Sequence, residues 1–141
     1  MSVEENKALY RQWIEAGWNS GDATRAEAAV DRFFSPDYYD HSVPPGFQRT
    51  TEAPKRGIAM YLGAFADLHV EIEHLVGDGE MVVAHIRFSG IHKGRFAGAE
   101  PSGNAVSFPA FDMVQIVDGR IVDHWFVAEF LAMLRQIGAK P

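Results

Sequence analysis

Cysteine is absent from the 141 residues, which excludes a disulfide framework, a thiol nucleophile and any zinc site built on thiolates. Positive charge is scarce: thirteen Lys and Arg against nineteen Asp and Glu leave a formal charge of -6 at pH 7. Neutralising phosphates is therefore not the business of this surface, and no nucleic acid partner is expected. No apolar run approaches the roughly 20 residues of a membrane span, and Met1 is followed by Ser-Val-Glu-Glu-Asn-Lys instead of a basic and then apolar leader. No membrane is expected, and the expected location is cytoplasmic. Gly90, Gly94, Gly98 and Gly103 are spread over a loop and form neither a dinucleotide fingerprint nor a Walker loop, and no Gly-x-Ser-x-Gly elbow exists. The six histidines include no His-x-His or His-x-x-x-His spacing, so neither a metal site nor a cofactor is expected.

The chain does have apolar and aromatic residues in quantity. With 47% hydrophobic and 23% charged residues it reads as one globular domain over 1–141. Ten Phe, four Tyr and three Trp point either to an aromatic-lined cavity or to plain packing.

Periodicity divides the chain in two. Residues 3–18 place Leu9, Tyr10, Trp13 and Ile14 on one helical stripe. Asp22 is an N-cap for an Ala-rich second helix running to about Phe34, with Ala26, Ala29, Val30 and Phe33 on its buried edge. Tyr38 to His41 reads as a short strand before the loop Val43-Pro44-Pro45-Gly46-Phe47. Thr51 opens a third helix, with Pro54 in its first turn, that stops near Asp67. From there the period becomes two: His69–Val76 puts Val70, Ile72, His74 and Val76 on one face, and Gly77-Asp78-Gly79 turns into Glu80–His92. After a loop at 94–104 come Val106–Val117, the Asp118-Gly119 turn, Arg120–Val127, and a short helix Phe130–Ile137 stopped by Gly138. The expected fold class is α+β, with three helices on one face of a curved antiparallel sheet. A sheet curled round helices encloses a cavity, the usual home of a small ligand.

Within Arg120–Glu129, strict alternation puts Asp123 and Glu129 on one face with Ile121, Trp125 and Val127. A carboxyl in apolar surroundings has its charged form desolvated, so it becomes a proton shuttle near neutral pH. The alternative is that Asp123 lies at a solvated edge and Glu129 caps the last helix. His92 shares its face with Ala84, Ile86, Phe88 and Gly90, as a pocket donor or as a core histidine bonded to backbone. His41 stands at a strand end, where functional groups gather, or faces water.

Taken in order, several stretches resemble the SnoaL-like polyketide cyclase family. They are Asn6-Lys7, Trp18 to Asp22, Phe34 to His41, Phe65 to His69, His92 to Gly98, Pro101-Ser102-Gly103, Asp118 to Trp125, and Leu134 to Gly138. The resemblance implies a cone-shaped α+β fold with an internal pocket and a cofactor-independent intramolecular aldol condensation. It places the family's acid, usually Asp, four residues after the tryptophan of the last strand, at Glu129, and it sets Asp123 where Glu is common. Gln115 stands where the family often carries a basic or imidazole group. The expectation is a small acid/base enzyme with Glu129 as general acid/base and Asp123, His41 and His92 orienting it and the substrate. Trp13, Tyr38, Phe65, Phe88, Phe111, Met113, Gln115 and Trp125 would wall a pocket for a hydrophobic polycyclic or polyketide-like molecule. The competing expectation is a non-catalytic ligand-binding or dimerisation domain on the same fold. Under either, a homodimer is expected.

Overall fold

In the computed structural model, which describes residues 1–140, four helices and five strands follow one another in a short sequence of elements. Helix α1 spans Val3–Ala16; Ser2 caps it by accepting from the Glu5 amide, and Glu4 and Glu5 favour the positive end of its dipole. Its inner stripe buries Asn6, Leu9, Tyr10, Trp13 and Ile14. Helix α2, Ala23–Phe33, is capped by Asp22, whose Oδ1 accepts from the Thr24 amide at 2.9 Å. Between them the side-chain amide of Asn19 exchanges two hydrogen bonds with the backbone of Val70, 2.9 and 2.7 Å long, and so ties the helical layer to the sheet.

Gly17 ends α1 because nothing larger fits. A Cβ there would overlap the ring of the buried Trp13. Gly17→Ala is therefore expected to destabilise the protein by about 1–3 kcal/mol, measured by urea denaturation, with a changed Trp13 fluorescence marking the displaced ring.

Strand β1, Phe34–Asp40, begins four residues earlier than its sequence pattern suggests, because Phe34 is already extended and Pro36 forbids a longer helix. Helix α3, Glu52–Ala64, ends three residues before the expected Asp67; Phe65 instead opens β2, Phe65–Asp78. β3 (Met81–His92), β4 (Ala105–Val117) and β5 (Arg120–Ala128) follow, and α4, Phe130–Gln136, closes the fold. The sheet order is β1-β5-β4-β3-β2, and the sheet is open. β2 to β5 are antiparallel, but β1 joins β5 in parallel. The expected antiparallel sheet is thus a mixed one within the α+β class, because β1 comes from the helical half of the chain and lies beside a strand from the far end.

Among the register shifts of the sheet, one on β5 and one on β2 reset the alternation. Between β4 and β5 the register moves from Ile116 opposite Ile121 to Gln115 opposite Asp123, leaving Val122 as an extra residue. Ile121 faces the core, and after the bulge it is His124 and Phe126 that face inward, while Asp123, Trp125 and Val127 turn outward. A second shift between Ile72 and His74 turns Leu75 toward the core and leaves Val76 59% exposed. β3 needs no such correction: Val82, Ala84, Ile86 and Phe88 are all buried.

Candidate functional site

The inner row of β4 is apolar at every second residue, Val106, Phe108, Ala110, Val114 and Ile116, with one interruption, the buried Asp112. Asp40, at the end of β1, is buried beside it, and His124 lies between the two on β5. His124 Nε2 bonds Asp112 Oδ1 at 2.5 Å and Nδ1 bonds Asp40 Oδ2 at 3.2 Å. Both ring nitrogens face carboxylate oxygens, so both carry protons and the ring is an imidazolium.

The remaining carboxylate oxygens are engaged as well. Tyr10, wholly buried on α1, donates its hydroxyl to Asp112 Oδ2 at 2.6 Å, and Tyr38 donates to Asp40 Oδ2 at 2.8 Å. The Ser42 amide donates to Asp40 Oδ1 at 2.9 Å. Five side chains from α1, β1, β4 and β5 thus form one chain of hydrogen bonds, Tyr10, Asp112, His124, Asp40, Tyr38.

Electrostatics follow from that chain. Burial pulls the His124 pKa down, but the charge and hydrogen bond of Asp112, joined by those of Asp40, outweigh it and push the value up to about 10. For Asp40 burial acts upward, yet the bond and charge of His124, with Ser42 and Tyr38, hold the carboxyl below its ordinary range. Burial first, and then the neighbouring carboxylates, raise Tyr10 and Tyr38, which stay protonated donors. Two carboxylates flank one cation, so the group carries one net negative charge.

This group forms the floor of a cavity of about 550 Å³. Trp13, Trp18, Phe34, Tyr61, Phe96 and Phe126 line it, as do Val43, Pro44 and Phe47 of the loop after β1. No lysine or arginine lines it.

Of the residues singled out from the sequence, Trp13 and Tyr38 line this cavity. Phe65 and Phe88 lie one layer behind: Phe88 is 5.0 Å from Trp18 and Phe65 5.5 Å from Phe96, centroid to centroid. His92 is wholly buried; Nδ1 accepts from the Ser102 amide at 3.1 Å, which leaves the proton on Nε2, where it has no partner. His41 and Asp123 bond each other at 2.8 Å on the opposite face of the sheet, with His41 stacked on Trp125 at 4.3 Å. Phe111, Met113 and Gln115 also lie on that outer face, Phe111 57% exposed and Gln115 bonded to Glu80. Glu129 is exposed at the N-cap position of α4 and makes no side-chain cap bond. Among the described residues no group of three or more His, Asp or Glu is placed to hold a metal ion, and no helix is long and apolar enough to cross a membrane.

Asp40, Asp112 and His124 are the candidate-site residues that sequence reasoning missed. For Asp112 a signal existed, a lone carboxylate in an otherwise apolar period-two row. For His124 there was none, because strict alternation across the bulge sends it to the wrong face.

Comparison with known proteins converges on one family. The model of the family described as SnoaL-like polyketide cyclase matches residues 8–137. Aklanonic acid methyl ester cyclase DauD from Streptomyces sp. (strain C5) is 28% identical over 132 residues, 92% of this chain and 80% of the relative. Nogalonic acid methyl ester cyclase from Streptomyces nogalater is 28% identical over 114 residues, covering 77% of this chain and 83% of its own. Among solved structures, TsrD from Streptomyces laurentii superposes with a TM-score of 0.85 at 27% identity, covering 99% of both chains.

Proposed function

From the premise that the chain belongs to the SnoaL-like polyketide cyclase family, we propose that it closes a ring in a neutral, polyketide-like ester by proton transfer, with Asp112, His124 and Asp40 as the reaction centre. The observation that carries this reading is a charged, fully hydrogen-bonded group on the floor of an otherwise apolar cavity. A carboxylate of the group takes the acidic proton from the carbon next to a carbonyl. The resulting enolate develops its negative charge beside the His124 imidazolium, where low dielectric strengthens the attraction. Its carbon attacks a second carbonyl of the same molecule, a carbon–carbon bond forms, and the new alkoxide takes back the proton. Nothing is oxidised and nothing leaves, so the residues suffice without a cofactor and the product is an isomer of the substrate.

The test is incubation with an aromatic polyketide methyl ester, followed by chromatography with mass detection for an isomer of unchanged mass. Turnover by the wild type, and binding without turnover by Asp112→Asn, is the expected result. Equal conversion by both would remove Asp112 from the chemistry, and binding without conversion by either would make the chain a ligand-binding domain.

Charge gives the substrate preference. A carboxylate entering this cavity would meet a net negative group and no lysine or arginine, so the methyl ester is expected to bind at least about tenfold more tightly than its free acid. Thermal shift at matched concentrations measures the difference. Glu129→Gln, at an exposed side chain outside the cavity lining, is expected to leave turnover within about twofold of wild type.

The outer face of the sheet fits a second copy of this chain. Phe111 and Val127 stand opposite each other across β4 and β5, 57% and 73% exposed. Four strands at ~4.8 Å spacing and ~40 Å of β3 present about 800 Å², the share one partner contributes to a standard interface. Sedimentation is expected to find dimers at micromolar concentration and monomers for Val127→Glu; a wild-type monomer would overturn the pairing.

A further inference from the structure

An acid and an imidazole stand in succession at two places: Asp40, the last residue of β1, with His41 just past it, and Asp123 with His124 within β5. Parallel pairing sets Tyr39 opposite Asp123 and Asp40 opposite His124. Successive side chains leave a strand on opposite faces. The outcome is two acid–imidazole pairs back to back through the sheet, Asp40 with His124 on the cavity side and His41 with Asp123 on the outer side.

We infer that His41 and Asp123 are positioning residues that fix Asp40 against His124 from the far side of the sheet. β1 needs such a fixture. It is an edge strand whose pairing with β5 is interrupted between Phe34 and Tyr39, around Pro36, and two residues past His41 the chain enters a Pro-Pro loop. At this point β1 is held to β5 by the His41 amide on the His124 carbonyl, 2.9 Å, and by the Phe126 amide on Ser42 Oγ, 2.9 Å. The outer pair adds lateral restraint. His41 Nε2 meets Asp123 Oδ1 at 2.8 Å, the ring lies flat on Trp125 with 5° between planes, and Tyr39 packs against it edge-on at 4.7 Å, itself beneath Arg49. The charged or titratable groups facing the outer pair are each other, Tyr39 and, over that ring, Arg49; those facing the inner pair are Asp112 and the hydroxyl of Tyr38.

The His41–Asp123 hydrogen bond, with about a third of each side chain's surface in water, contributes little to stability. Its effect is on geometry, since a displacement of Asp40 by about 1 Å is enough to cost a reaction centre severalfold or more. The role as positioning residues in catalysis rests on the proposed reaction; the effect on the inner hydrogen bond does not.

The test uses both readouts. His124 Nδ1–H and Nε2–H give separate downfield proton resonances at neutral pH, the first reporting the bond to Asp40 and the second, as internal control, the bond to Asp112. In Asp123→Ala, and in His41→Phe, which keeps the stack and loses the hydrogen bond, the Nδ1–H resonance is expected to move upfield while Nε2–H stays. Asp123→Asn, whose amide oxygen still accepts, should restore the wild-type position. With a substrate in hand, kcat should fall about tenfold in the first two variants with KM unchanged. An unmoved Nδ1–H resonance in either folded variant, or equal movement of both resonances, overturns the inference. Absence of turnover in the wild type would sink the proposed reaction, while the resonance positions would still decide whether the outer pair fixes Asp40.

Discussion

His124→Phe is expected to abolish turnover and to destabilise the protein by about 3–5 kcal/mol, the range found when one member of a buried charge pair is removed. Phenylalanine fills nearly the same space, so the loss is electrostatic. Asp40 and Asp112, buried and hydrogen-bonded by Tyr38, Ser42 and Tyr10, would face each other across an apolar ring with the compensating cation gone. Replacing all three charges at once, Asp40→Asn with His124→Phe and Asp112→Asn, removes the repulsion and most of the desolvation. That triple variant is expected to recover the greater part of the stability and none of the activity. Urea denaturation midpoints at constant slope measure the stability difference. A single variant as stable as wild type would mean that the carboxylates do not depend on His124, and a triple variant as weak as the single one would reassign the loss to packing.

The same three residues mark where the sequence could be read and where it could not. Local signals carried the helices: Asp22 caps α2, Pro54 lies in the first turn of α3, and Gly138 stops α4 with φ at +77°. Alternation carried β3, whose inward row is buried from Val82 to Phe88. It failed on β5 because a bulge is a property of two strands, the count of residues on one against the other, and neither strand's own composition records it. Val122 looks like any strand valine, yet it exchanges the faces of everything after it, putting His124 in the cavity and Asp123 outside. The same exchange at Glu73 puts His74 outside. Asp112 was legible in principle: Val106, Phe108, Ala110, Val114 and Ile116 define a buried row, and a carboxylate within such a row calls for a partner. What the sequence does not contain is that the partner arrives from β5 and a second carboxylate from β1, since β1 reaches its place by a parallel pairing with residues 84 positions further along the chain.

Stability is expected to fall steadily as pH rises from about 6.5 to about 10. His124 has an ordinary value near 6.5 when unfolded and about 10 when folded, so the folded state holds a proton that the unfolded state releases throughout that window. A base raised in this way contributes its full stabilisation below the unfolded value and has lost it once pH passes the folded one. At 1.36 kcal/mol per unit the loss over the whole window is on the order of 5 kcal/mol, equivalent to a fall in Tm of roughly 10 °C or more for a chain of this size. Asp40 has the opposite sign: its folded value is lowered, so its contribution is present above the ordinary carboxyl range and lost as pH falls through the folded value. Above pH 10 a further decline follows from Tyr10, Tyr38 and Tyr61, whose raised values mean that only their unfolded forms ionise there. The measurement is Tm by circular dichroism at half-unit steps from pH 6 to 9.5, on the wild type and on the triple variant. The slope should be present in the first and largely absent in the second. A flat wild-type profile would mean that His124 is not held as a cation, and the charge assigned to the cavity floor would be wrong with it.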